Sequence, residues 1–230
     1  MRFKIWEDFL ALVFPNTCSI CKRSLYRFED QICRFCEIQL PVADYHLMPY
    51  ENDLKQKITG LAEVGRVLAF LRYAKRGRSQ KLLHQLKYKN KPNLGVMLGN
   101  RYGRLLLENG FAGTWDYIIP VPLHPQKLRR RGYNQSQCFA QGLGEVLEVE
   151  ISLGISRSKY TATQTKKTRL ERWENVESVF EISNEELFIG KRILLVDDVL
   201  TTGATLASCA NCLQMVSPQS IDLAVIAAGN

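Results

Sequence analysis

Short apolar runs separated by longer polar segments recur along the chain from residue 64 onward. The run ILLV at residues 193–196 is partly β-branched and bounded by polar residues, which predicts a strand buried on both faces. Further apolar or alternating runs predict strands at residues 64–73, 116–121, 179–182 and 221–227. Helical periodicity predicts helices at residues 94–108, 137–147 and 207–215. The chain therefore alternates predicted strands with predicted helices.

Two acids, Asp197 and Asp198, stand directly after the 193–196 run, and a Thr/Gly loop follows them. Backbone N–H groups at a helix start favour an anion, and a glycine lets the backbone approach it closely. Two carboxylates would repel a phosphate that they touched, but they can accept hydrogen bonds from sugar hydroxyls or hold Mg²⁺ through water. The stretch predicts a ribose 5-phosphate site at the carboxyl end of a parallel strand, and a solvated acid pair in an ordinary turn is the alternative. The predicted phosphate-binding residues are Thr201, Thr202, Gly203, Ala204 and Thr205.

Four cysteines near the start of the chain form two C-x₂-C pairs. Each pair aims two thiolates at one point, and two pairs complete a tetrahedral zinc shell that leaves no open position. Little apolar material lies between the pairs, so metal binding would supply the folding energy of this module. A redox dithiol and an iron–sulfur site are the alternatives. The predicted ligands of this structural zinc are Cys18, Cys21, Cys33 and Cys36.

Weaker patterns surround the cysteine pairs. An apolar helical face at residues 3–14 predicts a short helix that docks on the body of the protein, and residues 37–62 have the weak periodicity of a connector. The remaining cysteines are interpreted as buried small apolar residues and not as a second metal site: Cys138, Cys209 and Cys212.

Composition adds a preference for an anionic partner. The 230 residues include 31 Lys and Arg against 23 Asp and Glu, giving a formal net charge of +8 and a pI near 9.2. Phosphate, diphosphate and nucleic acid all fit this charge, which does not choose among them. No secretory signal is visible and no apolar run approaches the ~20 residues needed to cross a bilayer, so we expect a cytoplasmic protein.

Positive charge is concentrated in three segments. Residues 72–91 hold eight basic side chains and no acid, and Lys87 stands beside an aromatic residue in a combination that suits phosphate or stacked bases. Residues 126–131 hold four cations in six positions and predict a basic loop. Residues 156–176 are rich in Thr, Lys and Arg without a clean period, which is typical of a mobile loop. A solvated surface is the alternative for the first two segments, and a disordered linker for the third.

Two stretches resemble known families. Residues 193–206, ILLVDDVLTTGATL, resemble the 5-phosphoribosyl-1-diphosphate (PRPP) signature of type I phosphoribosyltransferases. Residues 120–136, PVPLHPQKLRRRGYNQS, are similar to a second signature of the ComF family, the competence-associated phosphoribosyltransferase-like proteins of bacteria, which also carry an N-terminal four-cysteine zinc module. The resemblance implies an α/β fold of this type, a parallel sheet flanked by helices, at residues 63–230. The N-terminal helix, zinc ribbon and connector would occupy residues 1–62.

The resemblance also implies roles for individual residues. Asp197 and Asp198 would meet the ribose 2- and 3-hydroxyls, and the Thr/Gly loop would hold the 5-phosphate of PRPP, which binds with Mg²⁺. The mobile loop would close over PRPP, exclude water and stabilise the departing diphosphate. Thr201 stands where some purine-salvage enzymes carry an acid as general base, so that chemistry is not supported here. The basic residues predicted for diphosphate binding and loop closure are Lys87, which comes from its basic segment alone, and Arg129, Arg131, Lys166, Lys167, Arg169 and Arg172.

Two functions follow as hypotheses. In the first, the chain is an enzyme that transfers the phosphoribosyl group of PRPP and releases diphosphate, in a process linked to DNA uptake; the sequence does not identify the acceptor. In the second, the chain is a non-catalytic accessory protein that senses PRPP or binds single-stranded DNA. The candidate partners are PRPP, single-stranded DNA, and the helicase and uptake machinery of natural competence.

Overall fold

The structure is a computed structural model that describes residues 16–157 and 179–229. The predicted helix at residues 3–14 and nearly all of the predicted mobile loop lie outside the described residues. The strands, in chain order, are β1 (Val67–Arg72), β2 (Tyr117–Pro120), β3 (Glu150–Ile151), β4 (Ile155–Arg157), β5 (Phe180–Ile182), β6 (Arg192–Leu200) and β7 (Ser220–Ala228). The helices are α1 (Arg34–Ile38), α2 (Asp53–Ile58), α3 (Arg78–Tyr88), α4 (Pro92–Glu108), α5 (Pro125–Arg131), α6 (Gln135–Leu147) and α7 (Ala204–Gln214), and a 3₁₀ turn spans Glu186–Phe188.

Five of the strands form one parallel sheet in the order β1-β7-β6-β2-β3. β6 lies at its centre, between β7 and β2, and this explains why its first half is apolar on both faces. The two remaining strands, β4 and β5, form a small antiparallel pair. The parallel sheet with helices on both faces confirms the fold class that the sequence predicted.

Alternate side chains of the central strand enter two separate cores. Leu194 and Val196 belong to a cluster that also contains the buried residues of α3, α4 and α6, whereas Ile193 and Leu195 belong to a second cluster with α2 and α7. Three of the four predicted zinc ligands, Cys18, Cys33 and Cys36, are part of the first cluster. Burial therefore fixes α3, α4 and α6 on one face of the sheet and α2 and α7 on the other.

The structure corrects three boundaries. β6 does not end before the acid pair but continues through it to Leu200, because β7 pairs with it as far as Ala228. The segment predicted as a basic loop is helix α5, which has Pro125 in its first turn and ends at Gly132 with φ of +80°. The predicted connector contains helix α2, whose Leu54 and Ile58 are fully buried.

The burial of the three remaining cysteines and the length of the helices test two further predictions. Cys209 and Cys212 are buried as predicted, but Cys138 is only partly buried. Within the described ranges, no helix is both long enough and apolar enough to span a membrane.

Candidate functional site

The acid pair lies where β6 and β2 deliver their carboxyl ends to the same sheet edge. Oδ1 of Asp197 accepts a hydrogen bond from Ser136 Oγ at 2.7 Å and another from the Asp198 N–H at 2.8 Å. Ser136 is placed there by Asn134, which caps α6 and donates from its side chain to the Val121 carbonyl at the end of β2 (3.0 Å). The orientation of Asp197 therefore depends on a helix that begins more than fifty residues earlier in the chain.

The second acid is paired with a lysine from a third element. Lys87 Nζ, in the last turn of α3, lies 3.0 Å from Asp198 Oδ1, and the two side chains are only 21% and 11% exposed. Lys87 was predicted to bind diphosphate; in this structure its ammonium instead neutralises one of the two acids. The contact brings the predicted basic segment and the predicted acid pair into one site.

The surroundings of Asp197 change its pKa. Burial raises the pKa of Asp197 to about 7, and the negative charge of Asp198 adds to the increase, while the hydrogen bond from Ser136 opposes it. The Asp197 carboxyl therefore gains or loses its proton near neutral pH. A ligand that donates hydroxyl groups to these oxygens would favour the ionised form.

The Thr/Gly loop lies open beside the acids. Thr201, Thr202, Ala204 and Thr205 are exposed, whereas Gly203 is buried against α2. Gly203 has φ of +78°, and a Cβ there would lie 2.5 Å from Ile58 Cδ1, so both the turn and the contact favour glycine. The Ala204 N–H lies 3.5 Å from Thr202 Oγ1, and the Ala207 N–H makes the first α7 bond, to the Gly203 carbonyl. The first N–H groups of a helix have no partner within the helix, so this helix start can offer donors to an anion.

Helix α5 carries four cations, and the contacts of one of them, Arg131, link it to α3. Arg131 donates to Gln135 Oε1 at 2.7 Å, and its guanidinium carbon lies 5.7 Å from the centre of the Tyr88 ring. Arg129 is exposed on the same helix. The structure thus brings Arg131 close to α3, whereas Lys166, Lys167, Arg169 and Arg172 lie outside the described residues.

Sequence reasoning missed two residues that organise this site. Ser136 had no predicted role, but its hydroxyl holds Asp197. Tyr133 donates its hydroxyl to the Leu86 carbonyl, directly before Lys87, and so ties the end of α3 to the turn after α5. Both belong to the PVPLHPQKLRRRGYNQS stretch, which was the available signal, but neither partner could be identified from spacing because both are distant in sequence.

The four cysteines meet at a second site. Their Sγ atoms all lie within 4.8 Å of one another, and Sγ of Cys21 and Cys33 are 3.7 Å apart. Tetrahedral zinc with Zn–S bonds of about 2.3 Å holds its sulfurs about 3.8 Å apart, so this donor set fits zinc. Cys18, Cys33 and Cys36 are buried, and only Cys21 is exposed.

The protonation of these thiols also favours a metal. Burial opposes ionisation of Cys18, but backbone N–H groups, including those of Ile20 and Cys33, outweigh it and lower its pKa to about 6. Burial and the neighbouring thiols raise the pKa of Cys36 to about 12. Four crowded thiols cannot all ionise without a cation, and a divalent ion removes that conflict.

Mg²⁺ fits the acid pair in part. The carboxylate oxygens are the hard ligands that it prefers. However, Oδ1 of Asp197 already accepts two hydrogen bonds and Oδ1 of Asp198 is paired with Lys87. The residues are therefore better suited to Mg²⁺ that arrives on a ligand than to a bare ion.

Fold and site together define a phosphoribosyltransferase-like protein with a four-cysteine module that fits zinc. Residues 134–230 match the family model described as "Phosphoribosyl transferase domain". Among solved structures, glutamine PRPP amidotransferase from B. subtilis is similar at 18% identity and a TM-score of 0.44, over 61% of this chain and 30% of that chain.

Relatives of similar length identify the family within this class of protein. DNA utilization protein YhgH of Escherichia coli O157:H7 is 32% identical over 217 residues, which cover 89% of this chain and 86% of that protein. Competence protein F of Haemophilus influenzae is 34% identical over 110 residues, 47% of this chain and 48% of that protein. The chain belongs to the ComF family, as the two sequence stretches indicated.

Proposed function

We propose that this chain binds PRPP at the carboxyl end of β6 and transfers its phosphoribosyl group to an acceptor with release of diphosphate. We further propose that this activity serves the DNA uptake or utilization for which its relatives are named. One observation carries the proposal: the acid pair of β6, Ser136 of α6 and the exposed Thr/Gly loop meet at one sheet edge.

Each part of PRPP has a complementary group. The exposed hydroxyls and N–H groups at the start of α7 suit the 5-phosphate. Asp197 and Asp198 can accept hydrogen bonds from the ribose hydroxyls, and Ser136 keeps the first of these carboxylates in place. Mg²⁺ bound with PRPP would neutralise charge on the diphosphate. The acid pair would accept hydrogen bonds from the ribose that carries this diphosphate.

The reaction itself asks little covalent chemistry of the chain. The bond between C1 and the diphosphate oxygen breaks, its electron pair leaves with diphosphate, and the acceptor's lone pair forms the new bond to C1. Cations placed where negative charge develops are the main assistance that such a step needs. Lys87 and the arginines of α5 are the described candidates, and the roles of Lys166, Lys167, Arg169 and Arg172 stay predictions.

Diphosphate release from PRPP tests the enzyme. Candidate acceptors are first selected by their effect on Tm, with and without PRPP and Mg²⁺. We expect Asp197→Asn and Asp198→Asn to lower the rate by about 100-fold, as expected when an interaction with the reacting sugar is lost. Asp44→Asn, at an exposed acid on the opposite side of β1 from the site's strands, is the matched control and should retain the rate. Absence of both diphosphate release and PRPP binding in calorimetry would reject the proposal.

A second candidate function rests on the α3–α5 surface. Tyr88 is 52% exposed beside Arg131, and α5 has no buried residue, so an aromatic ring and several cations face solvent together. Such a surface suits single-stranded nucleic acid, which stacks its bases and pairs its phosphates with cations. PRPP binding without diphosphate release, together with DNA binding, would favour this accessory role over the enzyme.

Salt dependence tests DNA binding. Several phosphate contacts make affinity fall steeply with salt, and Arg129→Ala should weaken binding and reduce the salt slope by about one. Lys191→Ala removes an exposed cation just before β6, at the opposite sheet edge, and should leave the slope unchanged. Binding that ignores salt and survives Arg129→Ala would exclude this surface.

A further inference from the structure

The Lys87–Asp198 ion pair places an ammonium on a carboxylate oxygen of the kind that divalent cations bind. Nζ of Lys87 is 3.0 Å from Asp198 Oδ1, at the edge of the sheet where the proposed ribose site lies. Both side chains are largely removed from water, so the pair is weakly screened. An ammonium at this distance and a metal ion cannot share the same carboxylate oxygen without strong repulsion.

The lysine is delivered by an anchored helix end. Leu82, Leu83 and Leu86 of α3 are buried in the first core, so the backbone position of Lys87 is set by packing. The Tyr133 hydroxyl holds the carbonyl of Leu86, the residue before it. Lys87 also lies in the last turn of α3, where the helix dipole favours a cation.

The other acid offers no substitute. Oδ1 of Asp197 accepts from Ser136 and from the Asp198 N–H, so a metal ion that used this oxygen would compete with both donors. We propose that Lys87 is an internal counter-cation that keeps the acid pair from binding a divalent cation alone, so that metal enters this site only together with a phosphorylated sugar.

This inference deepens the proposed function, because PRPP is the ligand that would draw the ammonium away. Its diphosphate carries more negative charge than one carboxylate, and Mg²⁺ bound to it arrives already partly neutralised. Lys87 can then exchange Asp198 for diphosphate, which reconciles its position in this structure with the role predicted from sequence. Substrate and metal binding would be ordered by one side chain.

Metal binding in the absence of PRPP tests the proposal. The full chain, loaded with zinc, is titrated with Mn²⁺ at pH 8 and low salt, and binding is followed by calorimetry and by the electron paramagnetic resonance of free Mn²⁺. We expect no binding to the wild type at this site. Lys87→Met should gain a site at least tenfold tighter, and adding Asp198→Asn to that variant should abolish it. Lys89→Met removes an exposed cation two residues away and should match the wild type.

Two results would overturn the inference. One is that the wild-type chain binds Mn²⁺ without PRPP at a site that is lost in Asp198→Asn. This result can be obtained without a Lys87 variant. The other is a folded Lys87→Met chain, with its zinc content and circular dichroism intact, that gains no Mn²⁺ site; Lys87→Gln replaces it if Lys87→Met does not fold. None of these titrations contains PRPP, so failure of the proposed PRPP activity would leave their outcome unchanged.

Discussion

The cysteine cluster and the acid-pair site are both groups of ionisable side chains held a few ångströms apart, but they are assembled in opposite ways. The four cysteines come from nineteen consecutive positions, residues 18–36, and three of them are buried. The acid-pair site takes Lys87, Ser136, Asp197 and Asp198 from three separate elements and leaves an exposed loop beside them.

From this difference we infer that the cysteine cluster supports the fold and that the acid-pair site is open to a ligand. A closed tetrahedral shell satisfies its own ligands and leaves nothing for a substrate. Among the described residues, Ser136, the Asp198 N–H and Lys87 satisfy the acid pair, and a sugar phosphate could replace or supplement the two side chains. Stability should therefore depend most on the cysteines, and ligand binding most on the acids and the loop.

The largest effect is expected at the cysteine cluster. Cys33→Ser should lose zinc and lower Tm by about 10 °C or more, because metal binding contributes folding energy and the module shares a core with α3 and α4. Thermal unfolding with zinc analysis measures both. Cys138→Ser changes a cysteine outside the cluster and should retain zinc. If Cys33→Ser kept its zinc and lost no more Tm than Cys138→Ser, the cluster would have no structural role.

At the acid pair, replacing an ionisable side chain should stabilise the folded chain. The pKa of Asp197 is raised from 3.8 to about 7, so the folded chain binds a proton more tightly than the unfolded chain. The stability of the wild type should therefore fall as pH rises from about 4 to about 7 and stay reduced above that range. Asp197→Asn, which removes this ionisation, should unfold at the same temperature as the wild type at pH 4 and at about 5 °C higher at pH 8.

Melting curves across pH 4–8 measure this contrast, with Asp44→Asn as the exposed control. A Tm difference that stays constant with pH would mean that Asp197 does not titrate in this way.

A smaller effect is expected where the open site meets α2. Gly203→Ala places a methyl group against Ile58 at a positive φ, and Gly110→Ala has a similar φ of +83° with open space around it. Both variants should lose about 1 kcal/mol from backbone strain, and Gly203→Ala about another 1 kcal/mol from the contact. Chemical denaturation measures the difference, and only Gly203→Ala should weaken PRPP binding. Equal losses in both variants would show that Ile58 yields freely.

The smallest effect is expected for the hydroxyl that holds Asp197. Ser136→Ala removes a hydrogen bond that lowers the pKa of Asp197, so that pKa should rise and the pH at which PRPP binding is half-maximal should rise with it. At pH 7 we expect PRPP to bind about threefold to tenfold more weakly, the loss typical of one hydrogen bond to a charged group, with recovery toward pH 9. Calorimetry at several pH values measures it. Ser183→Ala, at an exposed serine directly after β5, is the control. An unshifted pH profile in Ser136→Ala would contradict the role of this bond.

Sequence reasoning identified the candidate site residues but not the contacts that support them. The central strand, its acids, the Thr/Gly loop and the cysteine pairs were found because each occupies a short continuous stretch with a recognisable composition. Helix α5 was read as a loop because its run of cations has no apolar face, since none of its residues is buried. Helix α2 was missed because it is only six residues long and most of its burial comes from two positions.

The amino-acid sequence alone determined the α/β class, the four cysteines and the order in which acids, loop and helix follow one another, because these depend on neighbouring residues. Only the tertiary structure decided that Ser136 holds Asp197 and that Lys87 neutralises Asp198. Parallel strands return to the same sheet edge only after long crossovers, so residues that meet there are far apart in the chain. Local pattern contains no information on which of them will touch, and packing of α3 and α6 on the sheet supplies it.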